Sequence, residues 1–248
     1  EQRYAALEQI ANSLDAGLQG FALTASSLIH DKTLMNLSLK YVSAKDADTR
    51  YRLTLSMDEI FNKYLIMTKQ MGAFYLFFDD GGKPYVCRNN PVVNFTEADI
   101  RALSGEGAKN PGFVVYLDMI RSGYRTAPQR PIVSLVVDPS VSSSGSTGVK
   151  SLFVSFDQTE LADFLEPKVR ADGRSGEYHS QTFLVGRSGI VLGAWDPRLV
   201  GLPFSEVREK LGREYVIMER PVETPGWTIA EAISVKFLTK TVDTLMWY

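Results

Sequence analysis

The sequence predicts an α+β chain: a long N-terminal helix, two strand-rich units of unequal size, and a closing helix. Three observations predict it. An apolar series at helical spacing opens the chain. Two later stretches share the order apolar strand, Gly-bearing turn, return strand. The last residues, 235–248, are amphipathic at helical period.

The opening series is Leu7, Ala11, Leu14, Leu18, Phe21, Ala25 and Leu28, spaced 4, 3, 4, 3, 4, 3. It resumes after Lys32 with Met35, Leu39 and Val42, past an irregularity at His30-Asp31-Lys32. This is a heptad seam, and forty such residues in one helix would span on the order of 60 Å. A helix that long overhangs a small domain. The seam is expected to pack on its own chain and, in its lower part, to pair with a second copy. After Ser43-Ala44-Lys45, Asp46 or Asp48 can cap a second helix carrying Leu53, Met57, Ile60, Tyr64, Met67 and Met71, which Gly72 ends.

Phe74 to Phe78 reads as a strand, Asp79 to Gly82 as a turn, and Lys83 to Arg88 as the return strand. Phe95 to Leu103 reads as a helix. Pro111 to Ile120 fits two periods: Phe113, Leu117 and Ile120 suit a helix, and Phe113 to Tyr116 a strand. The helix is the reading adopted here. Pro131 to Asp138 and Val149 to Phe156 are strands joined by a Ser/Gly-rich connection, with a short helix through Leu161 and Leu165 beyond them. Pro167 to Tyr178, rich in Gly and charge, reads as a linker. Thr182 to Val185 and Ile190 to Leu192 flank Gly186-Arg187-Ser188-Gly189 as a hairpin. A helix over Phe204 to Leu211 and strands over Glu214 to Glu219 and Trp227 to Ile233 complete the smaller unit. The closing helix carries Phe237, Leu238, Val242 and Leu245 and meets no stop signal, so it is expected to continue.

Composition narrows the function classes. The 248 residues are 44% hydrophobic and 23% charged, ordinary for a well-cored protein. A net charge of −2 with scattered Lys and Arg gives no footprint for nucleic acid. No apolar run approaches the roughly 18 residues a bilayer crossing needs. Cys87 is the single cysteine, so no internal disulfide forms. The chain opens on Glu1, not Met, which is expected of a processed or excised segment.

The two strand–turn–strand stretches, Phe74 to Lys83 and Thr182 to Ile190, look like variations on one theme. Each unit closes on a strand opened by Gly, at Gly148-Val149 and Gly226-Trp227, followed by a helix. Long helix, PAS-like unit, second PAS-like unit, exit helix is the order of the double Cache sensor domains, which the chain resembles over nearly its whole length. Phe183 to Val191 and Pro225-Gly226-Trp227-Thr228-Ile229-Ala230 resemble membrane-proximal segments of Gram-positive histidine kinases and membrane-bound AraC-type regulators. The resemblance implies two antiparallel sheets, each with helices on one side, between transmembrane helices that flank the chain. It implies a stalk helix over 1–45, a membrane-distal unit over 46–166, a smaller membrane-proximal unit over 167–234, and an exit helix over 235–248. The Arg-x-Trp-Tyr pattern of the amino-acid-binding subset is missing, so amino-acid sensing is not implied.

Catalytic, metal and cofactor sites are not expected. His30 and His179 lack His or Cys neighbours at ligand spacing, and no Gly-x-Ser-x-Gly elbow or Gly-x-x-x-x-Gly-Lys loop occurs. His30 is expected at the surface, and Trp195 and Trp227 as core anchors. A binding pocket remains. In the larger unit, the crossing segment Pro111 to Pro131 carries Tyr116, Arg121, Tyr124 and Arg125, and the strands add Tyr75 and Tyr85. Aromatic walls with a guanidinium suit a small polar or anionic ligand. For any single residue, half-buried core or solvated surface is the weightier account. The expected function is the extracellular ligand-sensing domain of a two-component receptor. The alternatives are the same domain on an AraC-type regulator, or a scaffold that senses a partner such as a solute-binding protein. A secreted hydrolase would need a polar cluster that the sequence does not offer.

Overall fold

Asp31 decides where the first helix stops. The computed structural model describes residues 2–67, 71–80, 82–88, 114–121, 131–137, 148–156, 165 and 180–239. Helix α1 spans Gln2–His30 and α2 spans Lys32–Ser43. Between them Asp31 is extended, and its carboxylate accepts the N–H groups of Thr33 (2.8 Å) and Leu34 (3.0 Å). Those donors have no partner within α2, so a side-chain cap starts a new helix there. The single forty-residue helix is therefore two, and α1 alone measures about 43 Å at 1.5 Å per residue. Helix α3, Ala47–Met67, opens in the same way: Asp46 Oδ1 accepts Thr49 N–H at 2.7 Å.

The chain divides into two compact units, Leu18–Asp157 on one hand and Glu1–Gly17 with Gln158–Tyr248 on the other. The division falls inside α1. All seven seam residues are buried within the chain: Leu7, Ala11 and Leu14 in the second of these units, Leu18, Phe21, Ala25 and Leu28 in the first. This stretch of the seam is thus core, and its side chains are not available to a second copy; in the resumed stretch Met35 is buried and Leu39 is 38% exposed.

In Leu18–Asp157, strands β1 (Met71–Phe78), β2 (Tyr85–Arg88), β3 (Val114–Arg121), β4 (Pro131–Val137) and β5 (Val149–Phe156) form one antiparallel sheet ordered β2-β1-β5-β4-β3. The expected helix over Pro111 to Ile120 is corrected here. Val114-Val115-Tyr116 is β-branched and aromatic, and pairing with β4 satisfies its backbone, so tertiary pairing wins over the i, i+3 apolar match. Residues 95–103 and the linker 167–178 lie outside the described residues. Helices α2 and α3 pack on one sheet face, with Tyr41 stacked on Phe78 at 5.3 Å and Leu34, Met35, Met57 and Phe61 buried. The Phe61 ring meets Phe74 at 5.1 Å and Tyr85 at 5.4 Å. Burying one such ring stabilises by about 2–3 kcal/mol.

In the other unit, β6 (Ser180–Val185), β7 (Val191–Ala194), β8 (Tyr215–Val222) and β9 (Trp227–Ser234) form an antiparallel sheet ordered β7-β6-β9-β8. Helix α4, Phe204–Leu211, covers one face with Phe204 and Val207 against Phe183, Val191, Ala230 and Ala232. The start of α1 lies on the other face, so β6 is buried on both sides, which explains its unbroken Thr-Phe-Leu-Val run. Gly189, at φ +77, makes the β6–β7 turn and donates to Gly186 O at 2.9 Å. Trp227 is buried, as expected. Trp195 is 52% exposed, because β7 ends at Ala194 and leaves it in the following bend. Residues 235–239 are helical directly after β9, and 240–248 lie outside the described residues.

Candidate functional site

Register sorts the candidate residues by face, since directly paired residues in a sheet point to the same side. Phe74 pairs with Cys87 and Val154, and Leu76 with Tyr85 and Leu152. This set faces the helices, as does Tyr116 on β3, which bonds to α1. Tyr75 pairs with Val86 and Phe153, and Phe77 with Ser151, on the opposite face.

Tyr85 and Tyr116 therefore sit in the helix-facing core. The Tyr85 hydroxyl donates to Asp58 Oδ1 on α3, and two residues along β2 the Cys87 thiol lies 3.7 Å from Asn62 Oδ1. Four residues of helix and two of strand advance the chain by nearly equal lengths, about 6 and 6.6 Å, so the two pairs match in register. Burial, and then the Asp58 carboxylate beside it, pushes the Tyr85 phenol far above its ordinary range, so it stays neutral and donates. The Tyr116 hydroxyl donates to Leu18 O on α1. Both tyrosines fasten helices to the sheet.

Tyr75 is different. It is 2% exposed on the second face, among Ala73, Phe77, Ser151, Phe153 and Ser155, all of them buried. Phe77 and Phe153 meet edge to face at 4.8 Å and 67°. Ser151, Phe153 and Ser155 follow one another on this side of β5, about 13 Å end to end at 3.3 Å per residue. With β1 and β2 alongside, at about 4.8 Å per strand, the patch is about 13 by 10 Å. Its described side chains are aromatic, aliphatic or hydroxyl, with no carboxylate, ammonium or guanidinium among them. Ser155 Oγ stands 3.5 Å from Ala73 O, a long contact that leaves the hydroxyl able to turn to another acceptor.

Of the six predicted residues, the structure thus places Tyr75 on one face and Tyr85 and Tyr116 on the other. Arg121 ends β3 opposite Pro131, at the far edge of the sheet from Tyr75. Tyr124, Arg125 and His179 lie outside the described residues. Phe77, Ser151, Phe153 and Ser155, which share the Tyr75 face, were not among the candidates. Their signal was present in Ser151-Leu152-Phe153-Val154-Ser155, where period two puts both serines and the ring on one side. His30 is exposed, and its Nδ1 lies 2.7 Å from Ser26 O. Among the described residues, no group of three or more His, Cys, Asp or Glu is placed to hold a metal ion, and no helix is long and apolar enough to cross a membrane.

In the smaller unit, the two segments that carried the sequence resemblance touch. Arg187 Nε donates to Pro225 O at 2.6 Å, and a Cβ at Gly226 would stand 3.2 Å from that nitrogen. Glycine leaves room for the side chain to cross the turn.

No family model matches the chain, and no curated protein does. Solved structures do. The ligand-binding domain of the Pseudomonas aeruginosa PAO1 amino-acid chemoreceptor PctB, in complex with L-Gln, is similar at TM-score 0.63 and 14% identity, over 98% of this chain and 96% of that one. The corresponding PctC domain with GABA gives 0.62 and 14%, over 94% and 98%. An extracellular domain assigned to a histidine kinase, rpHK1S-Z16, gives 0.61 and 12%, over 96% and 97%. At such identities the likeness is one of fold: an N-terminal helix and two antiparallel-sheet units, the arrangement implied by the double Cache resemblance.

Proposed function

We propose that the chain is the extracytoplasmic ligand-sensing region of a transmembrane signal-transduction receptor, and that it acts by binding, not by catalysis. The observation that carries this reading is a fold shared end to end with two chemoreceptor ligand-binding domains and the extracellular domain of a histidine kinase, covering 94–98% of this chain in the three structures. The site we assign to the ligand is the second face of the five-stranded sheet, floored by Tyr75, Phe77, Ser151, Phe153 and Ser155. A two-component histidine kinase is the output proposed, by likeness to the extracellular domain of a histidine kinase and by the resemblance of the segments around Gly186 and Gly226 to those of Gram-positive histidine kinases. Attachment is through transmembrane helices flanking the chain. A homodimer through α1 belongs to the same proposal, and it would use the outer residues Ala16, Gln19, Gly20 and Leu23 in place of the buried seam.

The floor favours a small ligand with an apolar or ring portion, oriented by hydroxyls. A thermal-shift screen over amino acids, small carboxylic acids, amines and sugars tests this. A ligand at 100 times its Kd stabilises the folded state by about 2.7 kcal/mol, a rise of several degrees in Tm. Tyr75→Ala is expected to remove the shift, and Tyr85→Phe to keep it. A screen in which no compound moves Tm would favour the partner-sensing scaffold.

A further inference from the structure

Strand β9 passes directly into the helical residues 235–239, so a displacement of β9 is carried into that helix. Arg3, in the first turn of α1, touches both sides of this junction. Its Nη1 donates to Glu231 Oε1 at 3.1 Å, where the carboxylate side chain is 14% exposed. Its guanidinium carbon stands 5.2 Å from the Phe237 ring centroid. A planar guanidinium satisfies a carboxylate at its edge while offering its face to a ring, a fixed geometry that a tetrahedral ammonium does not provide.

The rest of α1 in this unit is held to strand β8 and the β8–β9 turn. Arg220 donates to the Tyr4 hydroxyl and lies 3.4 Å from the Tyr4 ring centroid. Asp15 Oδ1 accepts the Thr224 N–H at 2.8 Å in the β8–β9 turn. Of these contacts, Arg3 is the one that reaches across β9 to the helix beyond it.

We infer that Arg3 is a positioning residue that fixes the first turn of α1 to the junction of β9 with the helix that follows. The two ends of the chain at this unit then move as one body. This deepens the sensor reading and rests on it for its meaning: the signal leaves as a joint displacement of both helical ends, not as a sliding of one along the other.

Native-state hydrogen exchange of the backbone amides of residues 235–239 tests the inference on the chain itself. Arg3→Met keeps the stem and removes the fork, and it is expected to speed exchange there about tenfold. Arg3→Lys is expected to fall between Arg3→Met and the unchanged chain. Arg198→Met removes a surface pair in the same unit, Arg198 with Asp196 at 2.7 Å, and is expected to leave these amides unchanged. Should Arg3→Met lower Tm so far that unfolding dominates exchange, Glu231→Met removes the acceptor of the same contact from the other side with a side chain of similar length. Unchanged exchange in Arg3→Met or Glu231→Met would overturn the inference, as would equal acceleration by Arg198→Met. The measurement needs no ligand, so its failure is distinct from failure of the sensor reading, which the thermal-shift screen tests.

Discussion

At the residue scale, the side chains that matter most are those whose partner is a helix. Tyr85 donates to a partly buried carboxylate, Asp58, and a hydrogen bond to a charged group contributes about 1.5–3 kcal/mol. We predict that Tyr85→Phe lowers unfolding free energy by about that amount in urea titration, while Tyr75→Phe costs less. Asp31 separates α1 from α2, and Asp31→Ala is expected to cost about 1 kcal/mol, with Asp31→Asn near neutral because it caps equally well. Asp46 adds a pH signature. Its hydrogen bond from the Thr49 backbone holds the carboxyl below the usual carboxylate range. A depressed pKa contributes stability above the unfolded value and loses it as pH falls through the folded one. The stability difference between the unchanged chain and Asp46→Ala should therefore be constant above about pH 4 and shrink below it.

At the element scale, α1 has an inner face that is core and an outer face that is free of such demands. Leu14 and Leu18 are fully buried, so Leu14→Ala should cost about 2–5 kcal/mol, and Glu at both positions should unfold the chain. Gly20 faces the other way, with nothing within 4 Å of where a Cβ would sit. Gly20→Ala should therefore raise stability by about 0.5–1 kcal/mol, read as a higher urea midpoint. This scale also shows what the sequence made legible. The 3–4 seam, the Gly186–Gly189 hairpin and the strand ends around Trp227 follow from local period and turn chemistry. Strand β3 did not, because Val114 to Ile120 satisfies both periods and only pairing with β4 decides between them. Trp195 misled because size suggests burial, whereas its place one residue past a strand end exposes it. The candidate site was half legible. Aromatic strand residues were found, but separating Tyr75 from Tyr85 and Tyr116 requires the register between β1, β2 and β5, which no single segment encodes.

At the scale of the whole molecule, the proposal joins a ligand face in one unit to a strand–helix junction in the other. If β9 carries the signal outward, inserting Gly-Gly after Ser234 in the receptor proposed to hold this chain should abolish the ligand response while leaving affinity nearly unchanged. Equal loss of affinity and response would place the damage in folding instead. The face assignment itself is open to a sharper measurement. With fluorotyrosine incorporated and resonances assigned by single Tyr→Phe changes, fluorine NMR reads each ring while the compound giving the largest Tm rise is titrated in. The Tyr75 resonance should shift and saturate with binding, while those of Tyr85 and Tyr116, locked to α3 and α1, hold still. Shifts at Tyr85 and Tyr116 with Tyr75 unmoved would contradict the face assignment.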